Sequence, residues 1–129
     1  MQAADLKESA DNYRRNAHKT LLWFNALIGL GDAHESQIVR TLNAKIELWK
    51  NGLFWLEELE RASCRTLDFS SFPDTIIIHG AADKVINPAN AQAYGEALPK
   101  SKLILWPDSA HAPHLHDAEA LRKIIARYV

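Results

Sequence analysis

The hydrophobic rhythm of this chain changes part-way along. Up to about residue 66, apolar positions recur at three- and four-residue intervals, the period of helices. Segment 5–16 is mostly polar and weakly periodic. Segment 17–28 carries Leu21, Leu22, Phe24, Leu27 and Ile28 and stops at Gly29-Leu30-Gly31. Asp32, with Glu35 three positions on, predicts a capped helix start. Ile38, Leu42, Ile46 and Trp49 then fall on one helical face. Asn51-Gly52 interrupts that helix, and Leu53, Leu56 and Leu59 begin another. No internal repeat or low-complexity tract is visible.

Near Leu67–Pro73 the pattern becomes strand, helix, strand, helix. The first apolar run is Thr75-Ile76-Ile77-Ile78-His79-Gly80 and the second is Lys102-Leu103-Ile104-Leu105-Trp106-Pro107. Between them Asn87-Pro88 caps and opens a helix expected to bury Ala91, Tyr94 and Leu98. A last helix after His116-Asp117 is expected to turn Leu121, Ile124, Ile125 and Tyr128 inward. Strands joined through a helix lie parallel in a right-handed crossover, so the fold class is α/β. The division expected is 1–70, all helical, and 71–129, a βαβα unit. Continuous apolar strands want cover on both faces and neighbours along both edges. Two parallel strands provide neither and are rarely stable alone. The reading therefore expects more strands of the same fold, or company from a homo-oligomer or a partner chain.

Composition narrows the field without choosing within it. The 129 residues are 47% hydrophobic and 24% charged, as in ordinary globular proteins. A net charge of −1 with no basic block argues against a nucleic-acid partner. The single Cys64 permits no internal disulfide. The opening residues lack a signal-peptide pattern, and Leu21–Leu30 is too short to span a bilayer, so no membrane partner and a cytoplasmic setting are expected.

Each strand delivers a group able to do chemistry: Asp83 after the first, His111 after the second. An acid and a histidine at the carboxyl ends of neighbouring parallel strands are two parts of a nucleophile–base–acid triad. The nucleophile itself has no place. The sequence holds no Gly-x-Ser-x-Gly, the motif that sets a serine on a sharp strand-to-helix turn. Ser70 and Ser71 precede a strand, and Ser109 sits in the histidine turn. His79-Gly80 lies on the acid's strand, so it does not serve as an oxyanion loop. His111, His114 and His116 with Asp108 or Asp117 fit no standard zinc spacing, and the site is read as metal-free. Asp83 as a plain turn residue and His111 as a surface histidine are the alternatives. Their joint placement favours the acid and base roles.

The runs Ile-His-Gly-Ala-Ala-Asp-Lys-Val-Ile-Asn-Pro and Trp-Pro-Asp-Ser-Ala-His-Ala-Pro-His together resemble the C-terminal end of the α/β-hydrolase family. In that family a strand–Gly-x-x-Asp unit presents the triad acid and a Gly/Ala-His-x-Pro turn the base. The resemblance implies a partial α/β-hydrolase fold: a helical lid, residues 1–70, followed by the C-terminal βαβα part of the core. The early strands, oxyanion loop and serine elbow would then precede residue 1. Within the family, the lid helices and the Ala-His-Ala-Pro turn are similar to the carboxylesterases of biotin synthesis, which act on a carrier-bound methyl ester. No cofactor is implied.

That resemblance gives the lid residues candidate roles. Trp23, Phe24, Trp49 and Phe54 are candidates for lining an acyl channel, although packing among lid helices explains them as well. Arg40, and less closely Arg14, Arg15 and Lys19, are candidates for meeting an acidic carrier protein, with solvated helix faces as the alternative. The expected substrate is a small-molecule or acyl-carrier-bound ester. Without the serine, this chain alone is expected to be inactive. One half of a split hydrolase and a non-catalytic binding or assembly module remain the competing readings.

Overall fold

The computed structural model describes residues 3–46, 51–62 and 68–128. The helical part runs α1 (Ala3–Arg15), α2 (Ala17–Gly29), α3 (Glu35–Asn43) and α4 (Gly52–Arg61). The remainder is β1 (Thr75–Gly80), α5 (Pro88–Ala97), β2 (Ser101–Trp106), α6 (Pro113–His116) and α7 (Ala118–Ile125). β1 and β2 pair in parallel, with Thr75 opposite Ser101 and Gly80 opposite Trp106. The α/β class and the helix-then-βαβα order follow the hydrophobic pattern.

Local chemistry explains the boundaries. Asn16 caps α2, its side chain accepting from Lys19 N at 2.9 Å. Asn87 caps α5 by accepting from Ala89 N, with Pro88 supplying a first-turn φ that suits a helix. Asp117 does the same for α7 through Ala120 N. Gly31 adopts φ +88°, the left-handed conformation that lets the chain reverse between α2 and α3. α1 packs on both α2 and α4, and α2 on α3. Between α2 and α3 the half-polar seam is closed by Asn25 Nδ2 donating to Asn43 Oδ1 at 3.0 Å.

Several expected details differ. α3 starts at Glu35 instead of Asp32 and ends at Asn43, leaving Ile46 outside the helix. Asp32 does not cap it in the box fashion. Its carboxylate turns into the core, and Glu35 Oε2 accepts from Gly31 N at 3.1 Å. Trp49, Cys64 and Leu67 lie outside the described residues. Tyr94 is 44% exposed, not buried, while Ala91 and Leu98 are buried as expected. α5 lies close to β2, where Ser101 Oγ donates to Gly95 O, and the Tyr94 ring sits edge-on to Phe69 instead.

α7 shows the largest departure. Leu121 and Ile124 are only half-buried, and Ile125 and Tyr128 are exposed. The reason is the sheet: with two strands it offers too little surface to cover α7's apolar side. The strands show the same shortfall, since from Thr75 to His79 and across β2 no residue is fully buried. Large buried apolar side chains are scarce among the described residues, Ile38, Val85 and Leu98 being the main ones.

Candidate active site

Gly80 is where the two strand ends meet. A Cβ there would lie 1.9 Å from Ala110 O and 2.4 Å from Ser109 O, so only glycine lets the segment after β2 cross the end of β1. That crossing is tied by Ala81 N to Trp106 O (2.9 Å) and Ala82 N to Ser109 O (3.0 Å). Asp83 and His111 are thus carried into contact by the crossing of two short turns.

The Asp83 side chain is almost wholly buried, and both of its oxygens have partners. Oδ1 accepts from Val85 N (2.8 Å) and Ile86 N (2.9 Å). Oδ2 faces His111 Nδ1 at 2.9 Å and His79 Nε2 at 3.2 Å. Three hydrogen bonds thus reach the carboxylate, two from the backbone and one from His111, with His79 as an ion-pair neighbour. His79 Nε2 also lies 3.1 Å from Ile86 O. Both of its neighbours only accept, so the proton belongs on that nitrogen. By the same reasoning His111 carries its proton on Nδ1, leaving Nε2 with a lone pair. This is the tautomer a general base requires. The His111 side chain is 30% exposed, buried enough to be oriented and open enough to reach a reactant.

A second carboxylate–histidine pair stands behind the first. Asp32, in the turn between α2 and α3, has a fully buried side chain. Its Oδ2 accepts from Ala110 N at 2.8 Å, and its Oδ1 accepts from His34 N and His116 Nδ1, each at 2.8 Å. Burial alone would push this carboxyl up. The hydrogen bonds from His116, His34 N and Ala110 N outweigh it and hold the group below its ordinary value. The His116 ring sits between those of His34 and Trp106, at centroid distances of 5.1 and 6.0 Å.

A cleft of about 1100 Å³ opens between α1, α2 and the segment that follows Asp83. Trp23, Phe24 and Leu27 supply its apolar wall, Arg15 and Lys19 its basic edge, and Asp83 and Val85 its floor. Of the other candidate lining and carrier residues, Phe54 sits on α4, half exposed and edge-on to Trp55. Arg40 borders a separate shallow groove with Ala26, Val39 and Asn43. Neither lines the cleft. Arg14 is paired with Asp11 at 2.6 Å and with Glu57. Among the described residues, no group of three or more His, Cys, Asp or Glu is arranged to hold a metal ion. His116 instead spends its Nδ1 on Asp32.

Sequence reasoning missed His79 and Asp32. His79 had a local signal, four residues before Asp83, where a strand end can fold its side chain back. Asp32 had none, because its partners Ala110 and His116 are 78 and 84 positions away.

No family model matches the sequence, and no curated protein is significantly similar to it. Among solved structures it is similar to an esterase (EaEST) from Exiguobacterium antarcticum, with a TM-score of 0.78 and 17% identity. The match covers 99% of this chain and 48% of that one, so the chain spans about half the length of that esterase. At this identity the likeness is one of fold. No helix among the described residues is long and apolar enough to cross a membrane.

Proposed function

We propose that this chain is the lid and C-terminal part of a serine carboxylesterase-type α/β-hydrolase, contributing the acid and the base of a triad whose serine lies outside residues 1–129. The observation that carries this reading is the 2.9 Å contact between Asp83 Oδ2 and His111 Nδ1 at the ends of consecutive parallel strands. In the assembled site, His111 Nε2 takes the proton of the serine as it attacks the ester carbonyl. It then returns that proton to the departing alcohol. Asp83 stabilises the imidazolium and keeps the ring in its working orientation. After the acyl-serine forms, the same nitrogen activates water for deacylation.

The cleft gives the substrate class its support. Trp23, Phe24 and Leu27 offer an apolar wall suited to an acyl chain, and Arg15 and Lys19 offer positive charge at its edge. The finer reading is a carrier-bound substrate, the methyl ester of pimeloyl-acyl carrier protein, hydrolysed in the cytoplasm for biotin synthesis. It rests on the lid resemblance and on these basic residues, with Arg40 as an outlying contact. Charge reversal at Arg40 would weaken use of a carrier-bound ester far more than of a small free ester. Equal effects on both would remove the carrier from the proposal.

Half-buried strands with open edges favour a complementary polypeptide over an independent module. The decisive experiment adds one. A fluorophosphonate probe is expected to leave this chain alone unlabelled. Mixing it with a polypeptide that bears the early strands and Gly-x-Ser-x-Gly should produce labelling on the added serine and hydrolysis of a nitrophenyl ester. His111→Ala should then lower kcat by roughly a thousandfold or more. Labelling of the chain's own serines, or full activity in His111→Ala, would defeat the reading.

A further inference from the structure

The helical part touches the catalytic base at its backbone. Four hydrogen bonds join the end of α2 and the turn after it to residues 108–116. Ala33 N donates to Asp108 O (2.9 Å) and His111 N donates to Ile28 O (3.3 Å). Ala110 N and His116 Nδ1 donate to the two oxygens of Asp32, each at 2.8 Å. His111 is therefore held on both sides of its Cα by groups belonging to the lid. Asp32 is the strongest of these restraints, since a buried carboxylate accepting three charge-assisted bonds is costly to disturb. Ala110 itself has no exposed surface, so no water replaces Asp32 at its amide.

We propose that Asp32 is a positioning residue for the base: with His116 it latches the lid to the histidine turn, so that lid placement sets the orientation of His111 toward Asp83. The proposal deepens the triad reading and depends on it for its catalytic meaning. The latch itself is measurable whether or not the site hydrolyses esters. It places the fixed point of the lid at Ile28–Ala33. Any opening of the cleft takes place further from this point, toward α1.

The test uses the ¹⁵N-labelled chain and two variants. Asp32→Asn keeps the size of the side chain but sets an amide donor against the donors of Ala110 or His116. His116→Phe keeps ring packing beside His34 and Trp106 and removes one donor. Two readings are taken: hydrogen exchange at Ala110 N relative to Ile77 N within β1, and the ring ¹⁵N shifts that report the tautomer of His111. In Asp32→Asn, exchange at Ala110 is expected to quicken about tenfold relative to Ile77, the equivalent of one lost buried hydrogen bond. The His111 ring should at the same time lose its single Nδ1–H form and average between tautomers. His116→Phe should move both readings in the same direction by a smaller amount, and it decides the matter if Asp32→Asn fails to fold. A residue of merely structural weight would alter exchange at Ala110 and Ile77 together and leave the His111 tautomer as it was. That result overturns the latch without touching the triad. Conversely, a moved His111 in a chain that never supports esterase activity keeps the latch and removes its catalytic role.

Discussion

Asp83 illustrates how much of a site depends on the partners of one buried carboxylate. Its two backbone donors come from its own turn, the His111 imidazole from the turn after β2, and His79 stands beside it at the end of β1. Removing His79 takes the imidazole from Ile86 O and a polar neighbour from Oδ2, in a largely buried place. His79→Leu is expected to lower unfolding stability by about 1–2 kcal/mol in urea titrations. His79→Gln, whose amide can still donate, should recover part of it. Gly80 is harsher. In Gly80→Ala the new methyl meets two backbone carbonyls that cannot swing aside, so a loss of about 3 kcal/mol or more, or failure to fold, is expected by the same titration. Asp83, His111 and Gly80 were legible from motif order. His79 was visible only as a neighbour of Gly80, and its partnership with Asp83 required the strand end to be seen in three dimensions.

At the scale of elements, the caps and the turn between α2 and α3 matter most. Asn87→Ala removes the side-chain acceptor that starts α5 and should cost about 1 kcal/mol in thermal or urea unfolding. The Asp32 turn adds a pH dependence. Its carboxyl is held below the ordinary 3.8, so the unfolded chain binds the proton more tightly than the folded one. The stability this provides is present above about pH 3.8 and is lost as pH falls through the folded value. The stability difference between the wild-type chain and Asp32→Asn should therefore be greatest near neutral pH and shrink below pH 4. A difference that stays constant between pH 6 and 3 would contradict it. Among the described residues, periodicity anticipated six of the seven helices, with α6 read only as a helix start and α3 ending sooner than expected. It misplaced the start of α3, because a capping pattern states what Asp32 can accept locally and not that the distant Ala110 N and His116 compete for it.

For the whole molecule the governing fact is unspent apolar surface. Among the described residues, Trp23, Phe54, Trp55, Leu59, Ile125 and Tyr128 are each more than half exposed. Between α7 and one face of the strands lies a gap of about 540 Å³ bordered by Ile76, Ile78, Ile124 and Tyr128. Ile125→Ser and Tyr128→Ser remove side chains that already meet water. Each should change the stability of the isolated chain by less than about 0.5 kcal/mol. If a complementary polypeptide covers this side, the double variant should bind it more weakly, by tenfold or more in titration calorimetry. Unchanged affinity would place the partner elsewhere.

The sequence by itself determined the succession of helices and strands, the parallel βαβ crossover, and the presence of an acid and a histidine at the two strand ends. These follow from local periodicity, capping and chain connectivity, which act over a few residues at a time. Only the tertiary structure decided that Asp32 grips the turn carrying His111 and that the apolar side of α7 stays half uncovered. Burial and long-range hydrogen bonding are properties of pairs far apart along the chain, and no window of sequence contains both members.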